Sequence, residues 1–217
     1  MLRCELHAHS SLSDGIDGVE VLLQEALRRR IDVISITDHD TLEGSLKALE
    51  IVEKENLPLT ILPGYELSTK EGHLLIFGKE EELEVLRKGI GIKEAAEVFK
   101  GKKCLTVLAH PYQFYRNGVP RPSRCISYVD AVEVFNARSV LPFFNRIASN
   151  LAKRYGKAFI AGSDSHSRES IGFGITLVDA ELSVDSILYE IKSGNAKLNS
   201  KMLPIKTLIK ESIKKRI

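Results

Sequence analysis

The 217-residue sequence predicts an α/β protein built as a seven-stranded (β/α)7, TIM-barrel-like ring with one antiparallel strand. Three observations lead to this expectation. Strand-like and helix-like patterns alternate along the chain with little else between them. All six histidines stand beside predicted strand ends, which gathers the polar clusters on one rim. One connection, residues 67–72, is shorter than the crossover of about a dozen residues that parallel neighbours need, so the strand after it returns antiparallel. A doubly wound open sheet would collect ligands at a switch point between two strands and has no use for contributions from six.

Taken in order, Leu2-Arg3-Cys4-Glu5-Leu6 alternates apolar and polar residues as a first strand, at whose end stands His7-Ala8-His9. A Ser-rich turn closed by Gly15 brings Asp14 back toward the same point. Asp17 and Glu20 form a capping box for a helix whose core face carries Val19, Leu22, Leu23, Ala26 and Leu27. Residues 31–36 form a β-branched strand that ends at Thr37-Asp38-His39-Asp40. Thr41 caps a second helix through Asn56, and residues 59–66 form a strand that passes a Pro63-Gly64 kink to reach Glu66. The hairpin places His73, first in the strand 73–77, at the same end of the sheet as Glu66. Helices over 80–88 and 92–100 lead to the strand 104–108 and to Ala109-His110. A long loop, 111–128, precedes the strand 131–135 with Asn136 at its end. A helix over 141–155 capped by Ser139 follows, then the strand 158–161, which ends at Gly162-Ser163-Asp164-Ser165-His166. An apolar strand 175–178, a helix opening at Ser183 and a basic amphipathic tail from Leu203 complete the chain.

Composition narrows the class. With 43% hydrophobic and 28% charged residues the chain supports one substantial core and reads as a single domain. A formal net charge of +2 is too small for a nucleic-acid coat. No apolar run approaches the ~20 residues of a membrane span, and the N-terminus lacks the apolar core of a signal peptide. No membrane partner and a cytoplasmic location are therefore expected. Cys4, Cys104 and Cys125 have neither metal-ligand nor redox spacing and read as buried reduced thiols.

The histidines suggest metal chemistry, because two imidazoles one residue apart at a strand end converge on a cation when the chain turns there. The motifs His7-Ala8-His9-Ser10, Thr37-Asp38-His39-Asp40, Gly64-Tyr65-Glu66, Ala109-His110-Pro111 and Gly162-Ser163-Asp164-Ser165-His166 resemble, in order and spacing, those of the polymerase and histidinol phosphatase (PHP) superfamily of metal-dependent phosphoesterases. The resemblance covers residues 2–166, and residues 171–198 resemble the segment that often follows. One PHP-type domain, 1–217, is thus expected, with a motif-bearing part, 1–166, and an associated C-terminal segment, 167–217. The resemblance implies a distorted seven-stranded β/α barrel holding two to three divalent ions of zinc, manganese or iron. It implies one ion on His7, His9, Glu66 and Asp164, and a second on Glu66 as a bridge with His73 and His110. The third would sit on Asp14, His39 and His166, with Asp14 standing where some relatives have a histidine.

Such a centre hydrolyses a phosphate monoester of a nucleotide or small metabolite, with hydroxide shared between closely spaced ions as the nucleophile. No GxxxxGK[ST] loop points to nucleoside triphosphate chemistry. Asp40, next to His39, is the candidate catalytic residue, either as partner of an imidazole or as proton donor to the leaving group. Substrate phosphate is expected on Arg116, Arg121 and Arg124 of the long loop, backed by Arg138 and Arg168, with the aromatic residues of the same loop available to stack a base. A 5'-3' exonuclease on RNA or DNA oligonucleotides and a non-catalytic barrel scaffold or RNA-binding subunit are the alternatives; the full ligand set argues against the last. The oligomeric state has no signature in the sequence.

Overall fold

Two open five-stranded sheets, not one closed ring, organise the computed structural model, which describes residues 1–214. In chain order the elements are β1 (Leu2–Glu5), α1 (Val19–Arg28), β2 (Val33–Ile34), α2 (Glu43–Glu55), β3 (Thr60–Ile61), β4 (Gly64–Ser68), β5 (His73–Phe77) and α3 (Ile92–Phe99). Then come β6 (Leu105–Leu108), β7 (Ala131–Asn136), α4 (Phe143–Arg154), β8 (Ala158–Gly162), β9 (Gly174–Val178), α5 (Val184–Lys192), β10 (Lys197–Ser200) and α6 (Ile205–Lys214). The first sheet has the order β10-β9-β1-β2-β3 and the second β4-β5-β6-β7-β8.

The expected closed (β/α)7 barrel is therefore wrong, and three local features explain why. The predicted strand 59–66 is two strands: β3 pairs with β2, and β4 pairs with β5 in the other sheet. Pro63, which has no N–H for a ladder, sits at the break, and the Ser45 hydroxyl lies within 3.1 Å of the Gly64 N–H and 2.7 Å of the Ile36 carbonyl there. On the other side of β1 the partner is β9, antiparallel, so the terminal segment occupies the edge that β8 would need for closure. Between β8 and β9 the link is a side chain: Thr176 Oγ1 accepts from the Ala161 N–H at 2.9 Å and donates to the Ala161 carbonyl at 3.0 Å. The backbones of the two sheets also meet at the single bridges Ala8 to Ser165, just past β1 and β8, and His39, in the turn after β2, to Glu66 of β4.

The expected hairpin is present, with Ser68 opposite His73 and Glu66 opposite Leu75. β5 is antiparallel to β6 as well, and β9 is antiparallel to both β1 and β10, so antiparallel pairing is more extensive than one strand. A helix over 80–88 does not form beyond a 3-10 turn at Glu80–Glu82. The Tyr65 hydroxyl donates to the Glu84 carbonyl at 2.7 Å and accepts from the Leu86 N–H at 3.3 Å, satisfying an extended backbone that a helix would otherwise bond internally. α1 and α2 start one or two residues later than their predicted caps, and neither has a side-chain cap. α4 likewise starts beyond Ser139, after Pro142. α5 does open at Ser183, whose side chain accepts from the Ser186 N–H. Of the basic tail, Lys215 and Arg216 lie outside the described residues.

The strands distribute their side chains by the period-2 rule. Leu75 and Phe77 of β5 join Cys4, Val33, Val107, Ala131 and Ile160 in a core shared by the inner faces of both sheets. Leu74 and Ile76 point the other way, to a second cluster under α3 and α4. α1 and α2 cover the far face of the first sheet through Leu22, Leu23, Ala26 and Ala48. Cys4, Cys104 and Cys125 are buried and unbridged, as expected. No helix among the described residues is long and apolar enough to cross a membrane.

Because Tyr65 is fully buried and its hydroxyl replaces two helical bonds, Tyr65→Phe should destabilise the fold by about 1–3 kcal/mol. Urea unfolding measures this; an unchanged midpoint would show that residues 84–86 are held by other contacts.

Candidate metal centre

Where the two sheets meet, strand ends and the turns after them bring together all nine residues expected to bind metal. His7 and His9 leave β1, His39 follows β2, Glu66 lies on β4, His73 opens β5, His110 follows β6, and Asp164 and His166 follow β8. Two of them, His110 and Asp164, have left-handed backbone, with φ of 28° and 52°, as does Asp40 at 56°. Such conformations cost energy in non-glycine residues and turn each chain sharply at the site. Gly118 gives His110 the room it needs, since a Cβ there would sit 2.2 Å from the His110 carbonyl oxygen.

Glu66 is the hub. Its side chain is 1% exposed, and each oxygen faces a different set of imidazoles. Oε2 lies 3.3 Å from His7 Nε2, 3.2 Å from His9 Nε2 and 3.4 Å from His39 Nδ1; Oε1 lies 3.1 Å from His73 Nδ1 and 3.0 Å from His110 Nε2. Asp164 Oδ1 is 3.7 Å from His9 Nε2 and 3.5 Å from His166 Nδ1. Asp14 is 3.1 Å from His166 Nε2 and 3.8 Å from His39 Nε2.

Ligand atoms within 4.8 Å of one another form five overlapping groups: His7-His9-Glu66, His7-His110-Asp164, His9-Asp14-His39, His9-Asp164-His166 and His39-Glu66-His73. These groups share members across the three-way division that the motifs imply: His39 joins Glu66 and His73, and His166 joins His9 and Asp164.

A divalent cation fits this donor set. His7 Nε2, both nitrogens of His9, and Nδ1 of His39, His73 and His110 are buried without a hydrogen-bond partner among the described residues. Buried polar atoms are ordinarily satisfied, and imidazole nitrogens facing carboxylates are the donors that zinc, manganese and iron take. Several His, Asp and Glu clusters can therefore coordinate divalent ions.

The charges respond to this crowding. Burial pushes the Glu66 carboxyl up, but His73, His7, His39 and the His110 hydrogen bond outweigh it and hold it well below the usual carboxylate range. Asp164 is lowered in the same way, its burial outweighed by Arg116 and neighbouring imidazoles. Burial lowers His7, yet Glu66, Glu133 and Asp164 together raise it well above the ordinary histidine value. His166 is pushed down to about 3 by burial, with His9 adding to it.

Sequence reasoning missed the carboxylates behind the ligands. Glu133, buried on β7, bonds His7 Nδ1 at 2.9 Å and accepts from the His110 N–H at 2.7 Å and from Asn136 Nδ2 at 3.1 Å. Its one signal was an acid in a strand otherwise apolar from Ala131 to Phe135. Asp38 accepts from the Ser10 N–H, the Ser10 hydroxyl and the Ser13 hydroxyl, pinning the turn between His9 and Asp14. Glu5, fully buried and pushed up to about 7 by its burial, accepts from the N–H groups of His7, Ser163 and Gly172.

The other expected site residues scatter. Asp40 bonds no imidazole; it accepts from the Ser68 N–H at 2.6 Å and lies 3.5 Å from Lys88 Nζ. Arg116 reaches the centre, where it pairs with Asp164 and bonds Asn136. Arg138 is paired with Glu211 of α6. Arg121 and Arg124 are exposed on a separate cavity with Glu71 and Pro120, and Arg168 is exposed after His166.

The residues 5–163 match the PHP domain family, and 142–196 match the PHP-associated family. An uncharacterised protein of Methanocaldococcus jannaschii is 28% identical over 160 residues, 69% of this chain and 90% of its own length. The 5'-3' exoribonuclease Rnm of Salmonella typhimurium is 38% identical over 65 residues; the match spans 30% of this chain and only 22% of the exoribonuclease. A solved two-domain protein from Bacteroides vulgatus, described as containing a predicted PHP-like metal-dependent phosphoesterase, has 20% identity and a TM-score of 0.76 over 99% of this chain and 69% of its own.

If Glu133 fixes the tautomer and direction of His7, Glu133→Gln should weaken metal binding about 10–100-fold while the protein stays folded. Calorimetric titration with Zn²⁺ or Mn²⁺ measures it; wild-type affinity in the variant would remove Glu133 from the centre.

Proposed function

Because the chain belongs to the PHP domain family, a superfamily of metal-dependent phosphoesterases, we propose that it hydrolyses a phosphate monoester of a nucleotide or small metabolite, with water as the nucleophile. The observation that carries this reading is Glu66, whose two oxygens face five imidazoles from four other strand ends. His7, His9, Asp14, His39, Glu66, His73, His110, Asp164 and His166 hold two to three ions of zinc, manganese or iron in this reading. Ions bound there supply an acidified water and neutralise phosphoryl oxygens.

The protein's own groups do the rest. Glu133 keeps Nε2 of His7 directed inward by occupying Nδ1, and Asn136 holds Asp164 through a 3.0 Å bond. Substrate enters where burial is least, over Asp14, His39 and His73, because His7, His9 and Glu66 are closed off from solvent. Beside His73 opens a cavity of about 380 Å³, lined also by Lys70, Lys88 and Phe114. Lys88 and Lys70 there meet the outer oxygens of the substrate. Of the five arginines, Arg116 alone reaches the centre, where it meets Asp164 and Asn136, which supports it as the arginine that takes phosphate in a charge-assisted contact. Asp40 serves by holding the Ser68 end of β4 and steering Lys88.

A 5'-3' exonuclease is the second reading, favoured by the exposed ring of Phe114 next to two lysines at the mouth, an arrangement that stacks a base and follows a phosphate chain. A non-catalytic scaffold would be expected to lose ligands, and all nine are kept. The buried free cysteines suit a reducing, cytoplasmic setting.

Protein purified without chelator should contain bound metal, and Glu66→Ala should lose more of it than any other single ligand substitution, since it removes both oxygens of the hub. A screen with added Mn²⁺, Zn²⁺ or Fe²⁺ over nucleotides, sugar phosphates and 5'-phosphorylated oligonucleotides should find hydrolysis that chelator abolishes. No metal by elemental analysis and no turnover in any combination would end this reading. On the best substrate, Arg116→Ala should lower kcat/KM roughly a hundredfold, the equivalent of about 2–3 kcal/mol for a charge-assisted phosphate contact. Near-wild-type efficiency in that variant would assign phosphate binding to the metals alone.

A further inference from the structure

Helix α6 packs the wrong way round for a helix held by the hydrophobic effect. Its isoleucines, Ile205, Ile209 and Ile213, form one stripe and are 71%, 55% and 56% exposed, whereas Glu211 on the opposite side is 1% exposed. A carboxylate is almost never so buried unless it is paired, and Glu211 is paired on both oxygens. Oε1 accepts from the Ser167 hydroxyl at 2.7 Å and the Ser170 hydroxyl at 2.6 Å, and Oε2 pairs with Arg138. These three partners lie on the two loops that finish the metal centre. Ser167 follows His166 directly. The Arg138 N–H donates at 3.0 Å to Asn136 Oδ1, and Asn136 Nδ2 in turn donates to Asp164. The Leu203 N–H adds a 2.8 Å bond to the Ala137 carbonyl just before the helix.

We propose that Glu211 is a positioning residue for the metal group His9-Asp164-His166, so that this one group depends on a helix that carries no ligand. This rests on the reading of the strand ends as a metal centre. Without the carboxylate, Ser167 and Ser170 lose their common acceptor, Arg138 is left buried beside Asn136, and the loop after His166 is released. The groups His7-His9-Glu66 and His39-Glu66-His73 contain neither Asp164 nor His166 and keep their geometry.

The test is Glu211→Ala, alongside Ser167→Ala/Ser170→Ala, which removes the two hydroxyl contacts to Glu211 but leaves α6 anchored by Arg138, Leu203 and the Lys210–Glu169 pair. Both are titrated with Mn²⁺ and Zn²⁺ by calorimetry and counted by elemental analysis. Histidine side-chain NMR of the metal-free proteins is recorded as a readout that needs no turnover. One binding step should weaken at least tenfold or vanish while the others stay within twofold, and the His166 ring signals should move while those of His7 and His73 hold still. Wild-type affinities for every step, or an equal loss in all of them, overturns the proposal. If the wild-type protein itself binds no metal, the metal-centre reading fails; if it binds and the variants match it, only the role of Glu211 fails.

Discussion

A carboxylate in the interior of a protein must be compensated, and Glu66 is the case on which this structure turns. Water does not reach it, its neighbours are imidazoles, and only His110 among them makes a hydrogen bond to it. Its backbone is equally committed: the Glu66 N–H donates to the Asp38 carbonyl and its carbonyl accepts from the Asp40 N–H, so the strand that carries it is clamped to the turn that carries His39. Removing one partner of such a buried set leaves an uncompensated charge, which costs far more than any surface ion pair contributes. Four imidazole nitrogens, His7 Nε2, His9 Nε2, His39 Nδ1 and His73 Nδ1, face it without a hydrogen-bond partner among the described residues, which makes a site able to take a cation.

Behind these imidazoles and carboxylates stands a layer of fully buried acids. Glu133 aims His7 and fixes the backbone of His110, Asp38 ties down the Ser10 to Ser13 turn, and Glu5 receives the N–H groups of two converging loops. Each is itself a buried acid, tolerated because every one accepts at least three hydrogen bonds. The cost of burying them is offset by directional hold on side chains that must be placed to within about 0.5 Å of a productive geometry.

The site was more legible in the sequence than the fold. Histidines at strand ends and a loop too short for a crossover are local signals, and they suffice to bring His73 to the end of the sheet where Glu66 stands. Closure of a sheet is not local. Pro63 read as a kink inside one strand, yet it is the point where the chain leaves one sheet for the other, and β9 read as an appendage although it fills the place beside β1. The arginines divide for a similar reason: charge is visible in a sequence, but its partner is not, and Arg138 is paired with Glu211, 73 residues away, while Arg116 reaches the centre. At α6 the sequence showed a basic amphipathic tail but not which face packs: the apolar stripe faces outward and a glutamate faces in.

The interleaving of the two sheets also sets an order of assembly. The second sheet is drawn from one uninterrupted stretch, β4 to β8, and can zip up as it leaves the ribosome. The first sheet cannot. β1 through β3 precede the second sheet in the chain, but β9, which covers the side of β1 away from β2, follows it, and until β9 arrives β1 stands as an open edge. His7 and His9 ride on that edge, and their partners Asp164 and His166 emerge only just before β9. A chain that stops before residue 174 thus carries all nine rim residues but leaves β1, the strand that leads to His7 and His9, without its antiparallel partner.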